Sequence, residues 1–205
     1  MEPKSHWESV YQTKSPEAVS WYAPHLKTSL AYIQRTGLPF TASIIDVGGG
    51  EATLVDDLLN ANYQHVSVFD ISAKALEVSQ QRLGPRADKV GWMTADVLTF
   101  PFERASFDVW HDRAVFHFLT NENERQQYVR QALRALRPGG YAIVGTFGPD
   151  GPQQCSGLPV VRYAPDQLHG EFGARFTLVE SSFDQHTTPW GAQQQFVYCF
   201  CRLEH

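Results

Sequence analysis

The sequence predicts a doubly wound α/β fold, in which helices cover both faces of a mostly parallel sheet. From Ser43 onwards, short apolar runs alternate with amphipathic stretches, which is the pattern of repeated strand–helix units. The first run, IIDV, leads directly into Gly48, Gly49 and Gly50, a tight turn that brings bare backbone close to a ligand. With 205 residues and 42% apolar composition, the chain suits one domain, 1–205, around a packed core.

The predicted elements follow in order along the chain. Residues 1–40 are polar and aromatic with weak helical character, so we expect a helical N-terminal cap, or lid, that ends at Gly37-Leu38-Pro39. In the core, 43–147, strands are predicted at 44–47, 66–69, 90–93, 107–110 and 141–146. Helices are predicted at 52–60, from the N-cap Ser72 to Gly84-Pro85, and at 121–136, before the stop signal Pro138-Gly139-Gly140.

The last part of the chain, 148–205, is predicted to form a loop and a hairpin. Residues 148–162 are rich in Gly and Pro and form either a functional loop or a plain connection. A short helix is predicted at 165–169. The apolar runs 176–183 and 194–201 are joined without a helix, which predicts an antiparallel hairpin with its turn at 189–191.

Composition and charge exclude several classes of protein. The formal net charge is -5, so we expect neither nucleic acid nor a membrane surface as a partner. The first residues form no apolar signal segment, and no run reaches the ~18 apolar residues of a membrane span. The chain has three cysteines, an odd number that does not indicate a disulfide framework: Cys155, Cys199 and Cys201. Their spacing is not that of metal ligands. We therefore expect a cytoplasmic protein with free thiols and no metal, as a monomer or homodimer.

Asp46, two residues before the first glycine, indicates what kind of ligand the turn holds. A dinucleotide-binding turn follows the pattern G-x-G-x-x-G, and Thr53 stands here in place of the third glycine. A carboxylate at this point also suits a cationic ligand better than a pyrophosphate. A nicotinamide-dependent reductase is therefore disfavoured, while an ordinary glycine turn after a buried strand stays open.

Two further acids follow the next two predicted strands. Asp70 ends the run VSVFD, where a doubly wound sheet places an acid against the ribose hydroxyls of an adenosine-containing ligand. The alternative for Asp70 is a helix N-cap for the Ser72 helix. Asp96 follows the third run and either accepts a hydrogen bond from an adenine amino group or is an ordinary turn residue.

The ordered motifs DVGGGEATL, VFDIS, TADV, FDVWHDRAVFHFL and LRPGGYAIVGTF together resemble those of class I methyltransferases that use S-adenosylmethionine (SAM). The resemblance covers 44–147. It implies a three-layer sandwich around a seven-stranded sheet of order 3-2-1-4-5-7-6 with the last strand antiparallel, SAM as cofactor, and S-adenosylhomocysteine as product. It also implies a cofactor site made of Asp46, Gly48, Gly49, Gly50, Asp70, Ile71, Asp96 and Val97.

The N-terminal pieces HWESVYQTK and SWYAP are similar to the opening of small bacterial-type members of that family, in which an aromatic segment folds over the SAM pocket. The resemblance therefore implies that Trp21 and Tyr22 are lid residues. Electron-rich ring faces stabilise a cation such as a sulfonium by roughly 0.5 to 2 kcal/mol. For Trp7 and Tyr11, a place in the lid and a place in the core stay equally open.

The segment WHDRAVFHF carries the candidate catalytic residues His111, Asp112 and His117, because open α/β sheets bind ligands at the carboxyl ends of strands. We expect His111, Asp112 and Arg113 to leave the strand tip together. A histidine there can take a proton near neutral pH, and Asp112 can orient an imidazole or hold a cationic acceptor. Arg113 is predicted to lie on the acceptor side, where it either binds an anion or pairs with Asp112.

The acceptor side of the site is less constrained by the sequence. Cys155, Arg162 and Tyr163 follow the fifth strand and are predicted to reach the acceptor. The chain has no Asn-Pro-Pro-Tyr or Asp-Pro-Pro-Tyr segment and no basic domain. We therefore expect a small-molecule methyl acceptor, such as a thiol or another soft nucleophile, with protein lysine methylation and non-catalytic SAM binding as alternatives.

Overall fold

The computed structural model describes residues 3–204; Met1, Glu2 and His205, which the predicted cap and domain include, lie outside the described residues. The helices are α1 (Pro3–Thr13), α2 (Lys27–Arg35), α3 (Leu54–Asn60), α4 (Ala73–Leu83), α5 (Glu122–Ala135) and α6 (Pro165–Phe172). The strands are β1 (Ser43–Val47), β2 (His65–Asp70), β3 (Val90–Thr94), β4 (Phe107–Arg113), β5 (Leu136–Phe147), β6 (Gln154–Cys155), β7 (Leu158–Pro159), β8 (Phe176–Thr187) and β9 (Gln193–Leu203).

One sheet contains seven of these strands, in the order β3-β2-β1-β4-β5-β9-β8. Neighbours among β1 to β5 pair in parallel, whereas β9 is antiparallel to both β5 and β8. Since β8 and β9 are the sixth and seventh strands of this sheet, the predicted order and the antiparallel last strand are confirmed. The terminal hairpin is confirmed as well, and its turn contains Gly191 at a φ of +85°.

Helices cover both faces of the sheet because its side chains alternate between two apolar cores. Ile44, Val68 and Ile143 pack on the side of α2, α3 and α4. Ile45, Trp110 and Val144 face the opposite side and pack against α5 and α6. The predicted three-layer sandwich is therefore confirmed. Within residues 3–204, no helix combines the length and the apolar character needed to cross a membrane.

β4 is longer than predicted, and this changes where its last residues point. The strand continues to Arg113, so His111, Asp112 and Arg113 do not leave a strand tip together as expected from the sequence. Because alternate residues of a strand face opposite sides, His111 and Arg113 share one face and Asp112 lies on the other. The register pairs His111 with Asp46 of β1, which brings these two side chains side by side.

The start of β5 also differs from the prediction. The strand begins at Leu136, directly after α5 ends at Ala135, so the predicted strand start at Tyr141 was wrong, whereas the predicted helix end at 136 agrees to within one residue. The backbone N–H of Ser106 donates to the carbonyl of Ala135 at 2.9 Å, which ties the end of α5 to the chain that enters β4. The helix therefore ends on this tertiary contact before the Pro-Gly-Gly segment is reached.

The segment 148–162, predicted as a loop, contains a small hairpin. β6 and β7 pair antiparallel, with Cys155 opposite Leu158. Ser156 and Gly157 form the turn between them at φ values of +49° and +78°. The hairpin gives this connection a fixed shape and places Cys155 beside the carboxyl edge of the sheet.

The N-terminal cap consists of α1, a 3-10 turn at Pro16–Ala18, and α2. α1 lies against the start of α4, where the backbone N–H of Ala73 donates to Glu8 Oε1 at 2.8 Å. α2 packs Tyr32 into the core beside α3. The cap is thus joined to the sheet domain by both of its helices.

Candidate active site at the carboxyl edge of the sheet

A cavity of about 370 Å³, here called the main cavity, opens at the carboxyl ends of β1, β2 and β4. Open α/β sheets bind ligands at this edge, and small-molecule sites typically measure about 300 to 1,000 Å³. The predicted cofactor residues in its lining are Gly48, Asp70, Ile71, Asp96, Val97 and Trp21. The chain segments at the carboxyl ends of β1, β2 and β3 therefore contribute to one concave surface.

A smaller side cavity adjoins the main cavity at the glycine turn. The two share Tyr11, Trp21, Gly48 and Arg113 in their linings. The side cavity adds Asp46, Gly49, Glu51 and His111. Acidic groups are thus concentrated on this side of the site.

The glycine turn is fixed by close packing around all three of its residues. Gly48 has a φ of +69°, and a Cβ there would lie 1.9 Å from Val115 Cγ2. A Cβ on Gly49 would lie 2.6 Å from Asp46 Oδ2, and one on Gly50 would lie 2.9 Å from Asp70 Oδ2. Glycine is therefore required at these positions, because the side chains of Val115, Asp46 and Asp70 already occupy the space that a Cβ atom would need. Gly50 itself lies behind Asp70 and outside the lining of either cavity.

Asp70 is buried, with 5% of its surface exposed. Its Oδ1 accepts a hydrogen bond from the Ser72 backbone N–H at 2.8 Å. The N-cap of α4 is Ser72, whose hydroxyl accepts from the Ala75 backbone N–H, so the N-cap alternative for Asp70 was wrong. Burial, together with the nearby charge of Asp46, raises the pKa of Asp70 to about 7. Hydrogen-bond donors on a ligand would stabilise the ionised form of this carboxyl group.

Asp96 has two roles in the structure. Its Oδ1 accepts from the Leu98 backbone N–H at 2.8 Å, and its carbonyl accepts from Thr99, which is the turn role that the sequence left open. Asp96 and the buried Val97 also line the main cavity. The turn thus holds both residues where they can contact a ligand.

His111 and Asp46 form a buried hydrogen-bonded pair. His111 Nδ1 lies 2.7 Å from Asp46 Oδ1. With the proton of Nδ1 donated to the carboxylate, Nε2 carries the lone pair, and within residues 3–204 it has no hydrogen-bond partner. The acid that orients this imidazole is therefore Asp46, which corrects the prediction that Asp112 does so.

Glu51 is a candidate site residue that the sequence analysis missed. It follows the glycine turn, is only 4% exposed, and borders the side cavity. Neither of its carboxyl oxygens has a hydrogen-bond partner among the described residues, and burial raises its pKa to about 7. One feature of the sequence could have indicated Glu51 as a site residue: it is a charged residue in a turn whose other residues are mostly small.

Three aromatic side chains, here called the aromatic lid, cover the main cavity: Trp7 and Tyr11 of α1 and Trp21. The ring centres of Trp7 and Trp21 are 5.9 Å apart, and those of Tyr11 and Trp21 are 6.2 Å apart. Trp7 and Tyr11, left open by the sequence, thus lie over the site. Tyr22, which was also predicted as a lid residue, does not line the main cavity. It borders a separate depression beside Pro16.

Asp112 supports the wall of the site from behind. It accepts hydrogen bonds from the backbone N–H groups of Val115 at 2.9 Å and Phe116 at 3.1 Å, and from the hydroxyl of Tyr128. Burial raises its pKa to about 6. Asp112 lies outside the linings of both cavities, because it points to the face of β4 opposite His111. These bonds hold the turn that carries Val115, and we assign Asp112 a positioning role instead of the predicted catalytic one.

His117 is also fully buried and lies outside both cavities. Its Nδ1 accepts from the Phe147 backbone N–H at 3.3 Å, and its ring packs on that of Phe147. Burial, together with the nearby charge of Arg113, lowers the pKa of His117 to about 3. A base this weak is poorly matched to proton transfer near pH 7, so His117 leaves the set of catalytic candidates.

The four predicted acceptor-side residues separate into two pairs. Arg113 and Cys155 line the main cavity. Arg162 is exposed and donates to the carbonyls of Pro149 at 2.7 Å and Gly151 at 3.2 Å, so it stabilises the connection after β5. Tyr163 is buried in the core beside α5 and α6. Neither Arg162 nor Tyr163 is placed to reach an acceptor in the cavity, contrary to the prediction.

A family model described as a methyltransferase domain matches residues 44–140, from β1 into β5. The match covers the segment that carries the glycine turn, Asp70, Asp96 and His111, which is a little under half of the chain. The resemblance to class I SAM-dependent methyltransferases that the sequence motifs predicted is confirmed.

Individual relatives show how far this similarity extends. The chain is 31% identical over 107 residues to a ubiquinone/menaquinone biosynthesis C-methyltransferase, UbiE, of Roseobacter denitrificans; the match covers 51% of the chain and 42% of that protein. It is 27% identical over 141 residues to an eEF1A lysine and N-terminal methyltransferase of Bos taurus, covering 66% of the chain and 20% of that protein. The chain thus spans less than half the length of these two curated relatives.

Among solved structures, one similar protein is the 1,6-didemethyltoxoflavin-N1-methyltransferase of Burkholderia thailandensis, crystallised with 1,6-didemethyltoxoflavin and S-adenosylhomocysteine. The TM-score is 0.71 at 18% sequence identity, covering 98% of this chain and 87% of that one. At this level of identity the likeness concerns the fold alone.

Proposed function

We propose that this protein is a SAM-dependent methyltransferase that acts on a small-molecule acceptor. The observation that carries the proposal is the main cavity, in which the glycine turn after β1, Asp70 at the end of β2 and Asp96 after β3 face one another. An adenosine-containing ligand needs a bare backbone turn and a carboxylate for its ribose at these positions. The proposal includes the division of one domain into a cap at 1–40, a cofactor-binding core at 43–147 and an acceptor-side part at 148–205.

The residues present fit the chemistry of SAM. When bound, SAM supplies a methyl group on a cationic sulfonium, together with an ammonium group. In our proposal Asp70 accepts hydrogen bonds from the ribose hydroxyls, and Asp96 with Val97 borders the adenine. Glu51 supports the placement of the cationic end in the side cavity, because its two buried carboxyl oxygens lack partners among residues 3–204.

The chain's own groups then have three tasks in the reaction. They align the acceptor with the methyl group, and good alignment alone supplies roughly 7 to 11 kcal/mol. The aromatic lid excludes water from the reacting atoms. Where the acceptor enters protonated, His111 takes its proton at Nε2 while Asp46 stabilises the resulting imidazolium through Nδ1.

A small acceptor is favoured over a lysine on a folded protein. The lining of the main cavity combines Trp7 and Tyr11 of α1 with Leu158 and Pro159 of the β6–β7 hairpin, so the cap and the hairpin both contribute to its walls. This covering suits a compact molecule better than a side chain presented by a large surface. The lysine methyltransferase among the relatives keeps protein methylation as the second candidate.

Calorimetric titration with SAM, S-adenosylhomocysteine and NADH tests the proposal. We expect both sulfur-containing nucleosides to bind and NADH to show no binding, because Thr53 removes the third glycine of a dinucleotide turn. Methyl transfer is then measured with panels of thiols, phenols, amines, carboxylates and lysine peptides. Failure to bind S-adenosylhomocysteine would contradict the proposal, and binding without transfer to any panel would favour the non-catalytic alternative.

Replacing His111 tests the proton-accepting role. His111→Asn keeps a donor for Asp46 and removes the Nε2 lone pair. We expect S-adenosylhomocysteine affinity to stay within about twofold, and kcat for an acceptor that loses a proton to fall by roughly 10² or more. His65→Asn, at an exposed position on β2, is the matched control. A kcat and pH profile equal to those of the wild type would remove His111 from the mechanism.

A further inference from the structure

Arg113 lies at the end of β4, where the main and side cavities meet. Its Nη1 donates to the carbonyl of Trp21 at 3.2 Å, and its Cζ lies 4.3 Å from the centre of the Phe196 ring. An aromatic ring therefore covers one face of the guanidinium. The side chain of Arg113 also hydrogen-bonds to Tyr198. The N–H groups in its plane that neither Trp21 nor Tyr198 uses are left for another acceptor.

No carboxylate of residues 3–204 takes that place. The ion pairs in this part of the chain do not include Arg113. Asp112, which the sequence offered as its partner, is held by Val115, Phe116 and Tyr128 on the opposite face of β4. A half-buried cation without a counter-charge is costly, and an anion bound beside it would offset that cost.

Charge is divided between the two sides of the site. The acids Asp46, Glu51, Asp70 and Asp96 lie toward β1, β2 and β3, while Glu124, which also lines the main cavity, is exposed at the start of α5. The guanidinium of Arg113 instead lies on a ring of β9, which is on the far side of β4 in the sheet order. Of the described residues that line the two cavities, Arg113 is the only lysine or arginine. The acidic side suits a cationic methyl donor, and the basic side is left for the acceptor.

Apolar side chains surround the rest of this part of the main cavity. Trp7 and Phe118 have ring centres 5.1 Å apart, and Leu158 of β7 completes the wall. A ligand here would place one charged group on Arg113 and an apolar body against these rings. The planar fork of a guanidinium matches the two oxygens of a carboxylate.

We propose that the methyl acceptor is a small organic acid, whose carboxylate binds in the plane of the Arg113 guanidinium while its apolar body packs against Trp7 and Phe118. This inference rests on the proposed function, because it names the substrate class of the same site. Arg113 is then a specificity-determining residue that selects acids over their neutral counterparts.

The test compares small aromatic acids with their amides, which have the same shape without the charge. Benzoate and phenylacetate are titrated against benzamide and phenylacetamide, with the protein saturated in S-adenosylhomocysteine. Binding is followed by calorimetry and by tryptophan fluorescence, since Trp7 and Trp21 line the cavity. We expect the wild type to bind at least one acid roughly tenfold more tightly than its amide.

Variants of Arg113 then assign this preference. Arg113→Gln is expected to abolish it, and Arg113→Lys, which keeps the charge, is expected to retain part of it. Arg130→Gln, at an exposed position on α5, is the matched control and should keep the full preference. Melting temperatures of all variants verify that each is folded.

Three outcomes would overturn the proposal. The first is equal binding of acids and amides by the wild type, and the second is a preference that survives in Arg113→Gln. The third is a loss of S-adenosylhomocysteine affinity in Arg113→Gln, because the carboxylate bound by Arg113 would then be that of the methyl donor. If the wild type binds no S-adenosylhomocysteine, the proposed function fails, and the acid–amide comparison on the free protein still decides the role of Arg113.

Discussion

Asp70→Ala is expected to weaken the binding of S-adenosylhomocysteine by about 2 to 4 kcal/mol, which is roughly a 30-fold to 700-fold increase in Kd. The variant removes a carboxylate proposed to accept two hydrogen bonds from the ribose. Calorimetric titration of wild type and variant at pH 8 measures the effect directly. At this pH the carboxyl group, with its pKa raised to about 7, is ionised in the free protein.

The fold is expected to survive this substitution. Within residues 3–204, Asp70 accepts hydrogen bonds only from the backbone of the adjoining turn, at Ser72 and Ile71, and its raised pKa means that the buried charge itself costs stability. Asp88→Ala, at an exposed position, is the control for the loss of a carboxylate. An unchanged Kd in Asp70→Ala, with a normal melting temperature, would refute the placement of the ribose.

Glu51→Gln is expected to stabilise the ligand-free protein by about 2 kcal/mol at pH 8 while weakening the binding of S-adenosylhomocysteine by roughly tenfold or more. Burial raises the folded-state pKa of Glu51 from 4.5 to about 7, so ionisation opposes folding. This penalty is fully present above pH 7, shrinks as the pH falls through 7, and is absent below pH 4.5. Urea unfolding at pH 8 and pH 5 measures the difference.

The same titration predicts how cofactor binding depends on pH. Protonation of Glu51 and Asp70 removes negative charge from the site, so SAM affinity of the wild type should fall as the pH drops below about 7. In Glu51→Gln this dependence should be shallower. Glu103→Gln, at an exposed position, is the control. Lower stability of Glu51→Gln at pH 8, or cofactor binding equal to that of the wild type, would exclude Glu51 as the group that binds the cationic end.

The meeting of Gly48, Asp70 and Asp96 at one edge of the sheet could be predicted from the sequence because its signals are local. An apolar strand that ends in glycines specifies a turn, and an acid at the end of the next strand faces the same edge of a parallel sheet. Gly48, Asp70 and Asp96 accordingly meet in one cavity. Ser72 was likewise predicted as an N-cap, because capping depends on residues within one turn of the chain.

The surroundings of His111, Asp112 and Arg113 were harder to predict because they depend on strand length and on distant contacts. Three more residues in β4 turn Asp112 away from His111 and separate it from Arg113. Asp46 replaces it as the partner of His111 through the β1–β4 register, which no motif encodes. Among the described residues, Glu51 lacks hydrogen-bond partners because of how the surrounding residues pack in three dimensions. The spacing of residues in the sequence does not predict this packing.

The hydrogen bond from Ala73 to Glu8 connects the aromatic lid to the helix that begins beside Asp70. Lifting α1 to free a product would therefore break a bond at the start of α4 and disturb the strand end that positions the ribose carboxylate. In the proposed reaction, release of the spent nucleoside would then be coupled to the uncovering of the cavity. α1 would in this way influence both the rate of product release and the exclusion of water from the cavity.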